Sequence, residues 1–157
     1  MRVGQGFDTH ALVAGRRLVL GGIEIPHDRG LAGHSDGDVL LHAVASALLG
    51  AIGEGDLGRH FPSSDPALAG IASEALLLRT WTMVRERGFA LGNLDSTVIA
   101  QAPRLAPYAG AMRERIAKLL ESPAERINVK VTSTDQLGAI GRGEGIAALA
   151  VVLLERA

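Results

Sequence analysis

Hydrophobic residues recur along this chain with two periods, and the switches between them predict its elements. Apolar and small residues from Met1 to Phe7 suit a strand over roughly 2–13, with Gly15-Arg16 as the turn that follows. Residues 17–25, with Leu18-Val19-Leu20 and Ile23-Glu24-Ile25, read as one or two strands ended by Pro26. From 26 to 36 the chain is polar and rich in glycine, which predicts a mobile loop. The helix after it is capped by Asp36 or Asp38 and stopped by Gly50 or Gly53. Residues 53–70 show little periodicity, and loops of that length tend to be functional. Leu77, Trp81 and Val84 share one face of a helix over 73–87, with Gly88 as its stop. Leu94, Ser96 and Val98 alternate with Asp95, Thr97 and Ile99 in a strand over 91–102, ended by Pro103. A third helix opens near Pro107 and presents Met112, Ile116, Leu119 and Leu120. Strands over 127–134 and 145–154 close the chain.

The order strands, helix, helix, strand, helix, strand, strand predicts an α+β fold, a mixed β-sheet with helices packed on one face. The last strand is apolar on both faces from Ile146 to Leu154, so both need cover. With so few helices available, the second cover is expected from another subunit. No repeat or linker interrupts the sequence, and 157 residues suffice for one core, so a single domain over 1–157 is expected.

Composition narrows the function. One Trp, one Tyr and three Phe leave the core to aliphatic residues. A net charge of −1 without a basic block argues against a nucleic-acid partner. No apolar run approaches the ~20 residues of a membrane span, and the opening strand leaves no room for a leader, so a cytoplasmic location is expected. The absence of cysteine confines any metal to His, Asp and Glu.

Asp8 and His10, two apart on a strand, point to one face, and His42 lies on the first helix. Two imidazoles and a carboxylate can share one divalent ion, and three protein donors leave a tetrahedral zinc an open position. Singly, Asp8 and His10 are ordinary polar strand residues and His42 an ordinary core histidine. Asp38, four residues before His42, either holds that imidazole from behind or simply caps the helix. His34 and Ser35 either offer hydrogen bonds or a proton to an anionic substrate or form a solvated loop tip. Asp56-Leu57-Gly58 presents a carboxylate to substrate hydroxyls or is a turn. Thr132-Ser133-Thr134-Asp135 ends a strand with three hydroxyls and a carboxylate, which suit phosphate oxygens and magnesium, although such strand ends also occur without a role. Arg142, in Gly141-Arg142-Gly143-Glu144-Gly145, either grips phosphate or pairs with Glu144.

Seven segments carry a family resemblance: G-x-G-x-D-x-H (Gly4 to His10), A-x-H-S-D-G-D-x-x-x-H (Ala32 to His42), G-D-L-G (Gly55 to Gly58), F-P-x-x-D (Phe61 to Asp65), A-Q-A-P-R (Ala100 to Arg104), N-V-K (Asn128 to Lys130) and G-R-G-E-G (Gly141 to Gly145). In this order they resemble the 2-C-methyl-D-erythritol 2,4-cyclodiphosphate synthases of the non-mevalonate isoprenoid pathway. The resemblance implies that 4-diphosphocytidyl-2-C-methyl-D-erythritol 2-phosphate cyclises with loss of CMP. It implies a Zn2+ per subunit on Asp8, His10 and His42, and a Mg2+ or Mn2+ on the substrate diphosphate. It also implies a homotrimer with sites at subunit interfaces. His34 takes a transition-state role by the same resemblance, and Ser133 stands at a catalytic position where Thr is usual. Substrate contacts are implied for Asp8, Thr9, His10, His34 and Ser35. Asp56, Leu57, Gly58, Phe61, Pro62, Ser63, Ser64 and Asp65 match the segments for the methylerythritol part. Ala100, Gln101, Ala102, Pro103, Arg104, Leu105 and Ala106, with Thr132, Ser133, Thr134 and Asp135, match those for the cytidine diphosphate part, supplied by a neighbouring subunit. Ala139 and Arg142 complete the set. Asp135 replaces the Glu that usually meets magnesium, Ala139 a residue that is often aromatic, and Arg104 a common Lys.

Two other classes fit parts of the sequence. A non-haem iron oxygenase also uses two His and a carboxylate, but as H-x-D on a β-barrel; here the order is D-x-H with the third donor on a helix. A trimeric scaffold that binds an isoprenoid diphosphate through Arg142 would need no cyclisation chemistry.

Overall fold

In the computed structural model, which describes residues 1–157, alternation along β1 (Arg2–Ala14) sends Gly4, Gly6, Asp8, His10 and Leu12 to one face of a sheet. Val3, Gln5, Phe7 and Thr9 go to the other. β1 pairs antiparallel with β7 (Gly145–Arg156), from Arg2 opposite Leu154 to Ala11 opposite Gly145. β7 pairs antiparallel with β5 (Phe89–Ile99), and β5 parallel with β6 (Ile127–Thr132). β4 (Arg29–Leu31) adds to the end of β1, giving the order β4-β1-β7-β5-β6. β2 (Leu18–Leu20) and β3 (Ile23–Ile25) form a separate hairpin. Its turn is Gly21-Gly22, with φ of 58° and 74°, the pair of positive values that a two-residue hairpin favours and side chains resist.

The helices lie on one face. α1 (Val39–Ile52) rests directly on β1, which the sequence permits because Gly4 and Gly6 carry no side chain. A Cβ at Gly4 would stand 1.9 Å from the Ala47 carbonyl oxygen, and one at Gly6 2.0 Å from that of Ala43. α1 is buried nearly all round, since α3 (Ser73–Glu86) covers its outer side. α4 (Ala109–Leu119) makes the crossover that a parallel β5–β6 pair needs and packs on β6. The short helices α2 (Leu57–His60) and α5 (Gly138–Gly141) lie in connecting segments.

The α+β expectation holds, and three boundaries need correction. Residues 26–36 are not loop throughout: β4 lies there, with Gly30 and Leu31 buried. The 53–70 segment holds α2 and a 3-10 turn at Pro66–Leu68. The strand predicted over 127–134 stops at Thr132, because Asp135 and Gln136 take φ of 50° and 66° and turn the chain out of the sheet. The sheet's other face has no cover within this chain. Val3, Phe7, Leu149 and Val151 stand 67%, 55%, 38% and 45% exposed there. Phe7 lies opposite Leu149 and Val3 opposite Leu153, so an apolar stripe runs along β7 and widens onto β1, with Gln5 and Asp95 at its margins.

Candidate active site

Three side chains converge where β1 passes under the start of α1. Asp8 Oδ2 lies 2.8 Å from His10 Nε2 and 2.9 Å from His42 Nδ1, and the two ring nitrogens are 3.2 Å apart. Donors of a tetrahedral zinc, with bonds of about 2.0–2.2 Å, stand roughly 3.3 Å from one another, so an ion fits after shifts of a few tenths of an ångström. The His10 ring is held from behind. His10 Nδ1 donates to the Ala32 carbonyl at 2.5 Å, which leaves Nε2 for a metal. Burial opposes the charge on Asp8, but the His10 and His42 rings beside its carboxylate outweigh it and bring its pKa down to about 2. The hydrogen bond to Asp8 raises the pKa of His10, with burial acting against it. The donor set is therefore one firm carboxylate and two imidazoles, on an open sheet and a helix rather than a barrel.

A cleft of about 220 Å³ opens from these ligands, lined by His10, His42, His34, Ser35, Leu57, Phe61, Ser63 and three aliphatic residues. His34 is exposed, with Nε2 3.2 Å from the Asp65 carbonyl oxygen. Pro62 and Ser64 are exposed beside it, and Asp65 caps the 3-10 turn by accepting from Ala67 N. A second cleft, of about 270 Å³, lies at the β5 and β6 ends and is lined by Ala100, Gln101, Pro103, Arg104, Leu105, Ala106, Thr132 and Ser133, with Val131. Gln101 Oε1 accepts from Gln136 N and ties the two segments together. The clefts share no residue, and β7 runs between the strands that carry them.

The chain belongs to the YgbB family. The model of that family matches residues 1–155. A curated relative from Geotalea daltonii, named 2-C-methyl-D-erythritol 2,4-cyclodiphosphate synthase, is 59% identical over 99% of this chain and 91% of its own. A synthase of the same name from Halalkalibacterium halodurans is 57% identical over 98% of both. Among solved structures, the bifunctional IspDF of Campylobacter jejuni superposes with a TM-score of 0.96 at 44% identity, over 99% of this chain and 42% of that one. The IspF–CDP complex of Plasmodium falciparum superposes at 0.87 with 30% identity, over 99% of this chain and 96% of that one.

Several positions for which the sequence suggests a site role make local contacts within this chain. The Asp38 carboxylate makes no hydrogen bond to the His42 ring: it caps α1 through Leu41 N and grips Gly21 N and Gly22 N at 2.9 and 2.8 Å. Helical spacing predicted the shared face, but the cap conformation turns the carboxylate towards the hairpin. The Asp56 carboxylate caps α2 by accepting from Arg59 N. Arg142 pairs with Glu144 at 2.6 Å. Thr9 points to the sheet face opposite the ligands, as its odd position on β1 requires. Asp135 is exposed, its Oδ1 3.3 Å from Ser133 Oγ, while Thr134 Oγ1 donates to the Leu137 carbonyl. Ala102 is not among the lining residues of the second cleft, and Ala139 is exposed on α5. Gly53, in left-handed conformation, ends α1.

Three residues at the site were given no site role from sequence. Arg16 donates to the carbonyls of Gly33 and Ser35 and so pins the segment beside Asp8, His10 and His42. Asp36 and Ser73 meet behind His42. Arg16 and Ser73 carry no local signal, being an ordinary turn residue and the first residue of a helix.

Proposed function

We propose that this chain converts 4-diphosphocytidyl-2-C-methyl-D-erythritol 2-phosphate to 2-C-methyl-D-erythritol 2,4-cyclodiphosphate with release of CMP. The observation that carries the reading is the convergence of Asp8, His10 and His42 within hydrogen-bond distance of one another, in a chain that matches curated synthases along its whole length. The substrate's 2-phosphate oxygen forms a bond to the β-phosphorus, and the bond from that phosphorus to the CMP oxygen breaks. A phosphate monoester has its second pKa near ~6, so the nucleophile is largely dianionic at neutral pH and needs no general base. The difficulty is one anion approaching another.

Asp8, His10 and His42 would hold Zn2+, which supplies Lewis-acid charge to a phosphate oxygen. His34, exposed at the cleft mouth, donates a hydrogen bond to the anionic groups that gather there. Leu57, Phe61 and Ser63 shape the pocket for the methylerythritol end. The second cleft takes the cytidine diphosphate end, where Ser133 faces the diphosphate, Arg104 adds positive charge, and Asp135 would hold Mg2+ or Mn2+. Its separation from the first cleft supports a site completed between neighbouring subunits. The open apolar face around Phe7, Leu149 and Val151 supports a homotrimer, in which the neighbouring chains supply the second cover of β7. Holding both substrate ends sets the reacting groups in line, an effect worth roughly 7 kcal/mol or more in well-oriented closures.

Purified protein incubated with the cytidylylated substrate, Zn2+ and Mg2+ is expected to release CMP and the cyclic diphosphate in equal amounts, read by phosphorus NMR. His42→Ala is expected to abolish turnover with assembly retained. Absence of both products from metal-loaded wild type would overturn the reading.

A further inference from the structure

Behind His42, on the side away from Asp8, stands a chain of polar groups that the cyclisation does not use. His42 Nε2 lies 2.8 Å from Ser73 Oγ, and Ser73 Oγ in turn hydrogen-bonds Asp36 Oδ1. His42 and Ser73 are both buried. The proton directions follow from chemistry: an ionised carboxylate only accepts, so the Ser73 hydroxyl donates to Asp36. Its oxygen is then an acceptor for His42, which places the imidazole proton on Nε2 and leaves the Nδ1 lone pair facing Asp8 and His10. Ser35 Oγ, 3.0 Å from the same nitrogen, is a second and longer contact.

We propose that Ser73 and Asp36 are positioning residues for the metal centre: they draw the His42 proton to Nε2 so that Nδ1 can bind the ion. This rests on the metal reading given above. Without Ser73, the strongest acceptor near the ring is the Asp8 carboxylate, 2.9 Å from Nδ1. It would hold the proton on the nitrogen that must become a ligand, and metal binding would have to displace it. The arrangement also joins the metal centre to the loop that carries His34, because Asp36 and Ser35 belong to that segment.

A simpler role for Asp36 is helix capping. α3 has no side-chain cap of its own at Ala72, and Asp36 Oδ2 accepts from Ser73 N at 3.0 Å. Ser73→Ala separates the two roles, since it keeps the backbone donor and removes the hydroxyl. Zinc affinity is measured by competition with a chelator for wild type, His42→Ala, Ser73→Ala and Asp36→Asn. In the zinc-loaded proteins, nitrogen-edited NMR follows exchange of the His42 Nε2 proton with water. Ser73→Ala is expected to weaken zinc binding about 10- to 100-fold, as loss of such an outer partner does elsewhere, and to speed exchange of the Nε2 proton. Asp36→Asn is expected to follow it with a folded circular dichroism spectrum, and serves in its place should Ser73→Ala fold poorly. Wild-type zinc affinity and slow Nε2 exchange in Ser73→Ala would overturn the proposal while leaving the metal reading intact. Failure of wild type to bind zinc above the His42→Ala level would instead overturn the metal reading, and the positioning role with it.

Discussion

Gly6→Ala adds one methyl group at the contact between β1 and α1 and is expected to abolish metal binding by Asp8, His10 and His42. The new Cβ would stand 2.0 Å from the Ala43 carbonyl oxygen and 2.8 Å from Ala47 N, both backbone atoms of α1 that cannot rotate away. To reach 3.0 Å, below which real Cβ contacts essentially do not occur, helix and strand must separate by at least 1.0 Å at that point. Ala43 adjoins His42 on α1, and Gly6 lies two residues before Asp8 on the same face of β1. Metal sites tolerate ligand distances within about 0.2 Å of ideal, so a shift several times larger removes His42 from the donor set. Overpacking in a close-packed core costs about 1–3 kcal/mol, and backbone clashes on two atoms put this variant near the upper end. The assay is paired: zinc content after dialysis, and urea unfolding of the metal-free protein. Wild-type zinc stoichiometry and affinity in Gly6→Ala would refute the claim that the bare glycine contact sets the ligand spacing.

Asp38→Ala removes the acceptor of three backbone N–H groups, each worth about 1–3 kcal/mol if left unpaired. A loss of about 4 kcal/mol in urea unfolding is expected, allowing for water at Gly22, and a loss under about 1 kcal/mol would contradict the anchoring role. Burial raises the Asp38 pKa to about 6 against the three N–H donors. Its stabilising contribution is thus full below the unfolded value near ~4 and declines as pH rises through 6, so the deficit of Asp38→Ala should be larger at pH 4 than at pH 7. Zinc affinity should fall with decreasing pH, because the raised pKa of His10 lets a proton compete for Nε2, whereas Asp8 stays ionised. A pH-independent dissociation constant between about pH 5.5 and 8 would exclude His10 as a ligand. Val151→Glu places a charge on the open sheet face opposite Asp95 and is expected to yield monomers by light scattering with an unchanged circular dichroism spectrum. Trimers at wild-type stability would move the interface elsewhere.

Element types were legible wherever period and length agreed. Trp81 and Val84 announced α3, and the alternation from Leu94 to Ile99 announced β5. β4 was missed because Arg29-Gly30-Leu31 has no alternation of its own; it is a strand because β1 extends far enough to pair with it. Two members of the candidate metal-binding group were legible because a two-residue strand spacing brings Asp8 and His10 together. The sequence left Asp38 open between helix cap and partner of His42, because helical spacing fixes where a Cβ lies, not which way a capping carboxylate turns.

By itself the sequence determined the periodic elements, the D-x-H pair on one strand face, and the family to which its ordered segments point. These are short-range or pattern properties, set by backbone geometry and by residue type. Only the tertiary structure decided that His42 reaches Asp8 across the glycine contact, that Ser73 and Asp36 stand behind it, and that one face of β7 remains bare. Those outcomes depend on how α1, α3 and the sheet pack, and close packing joins residues more than thirty positions apart that no local pattern connects.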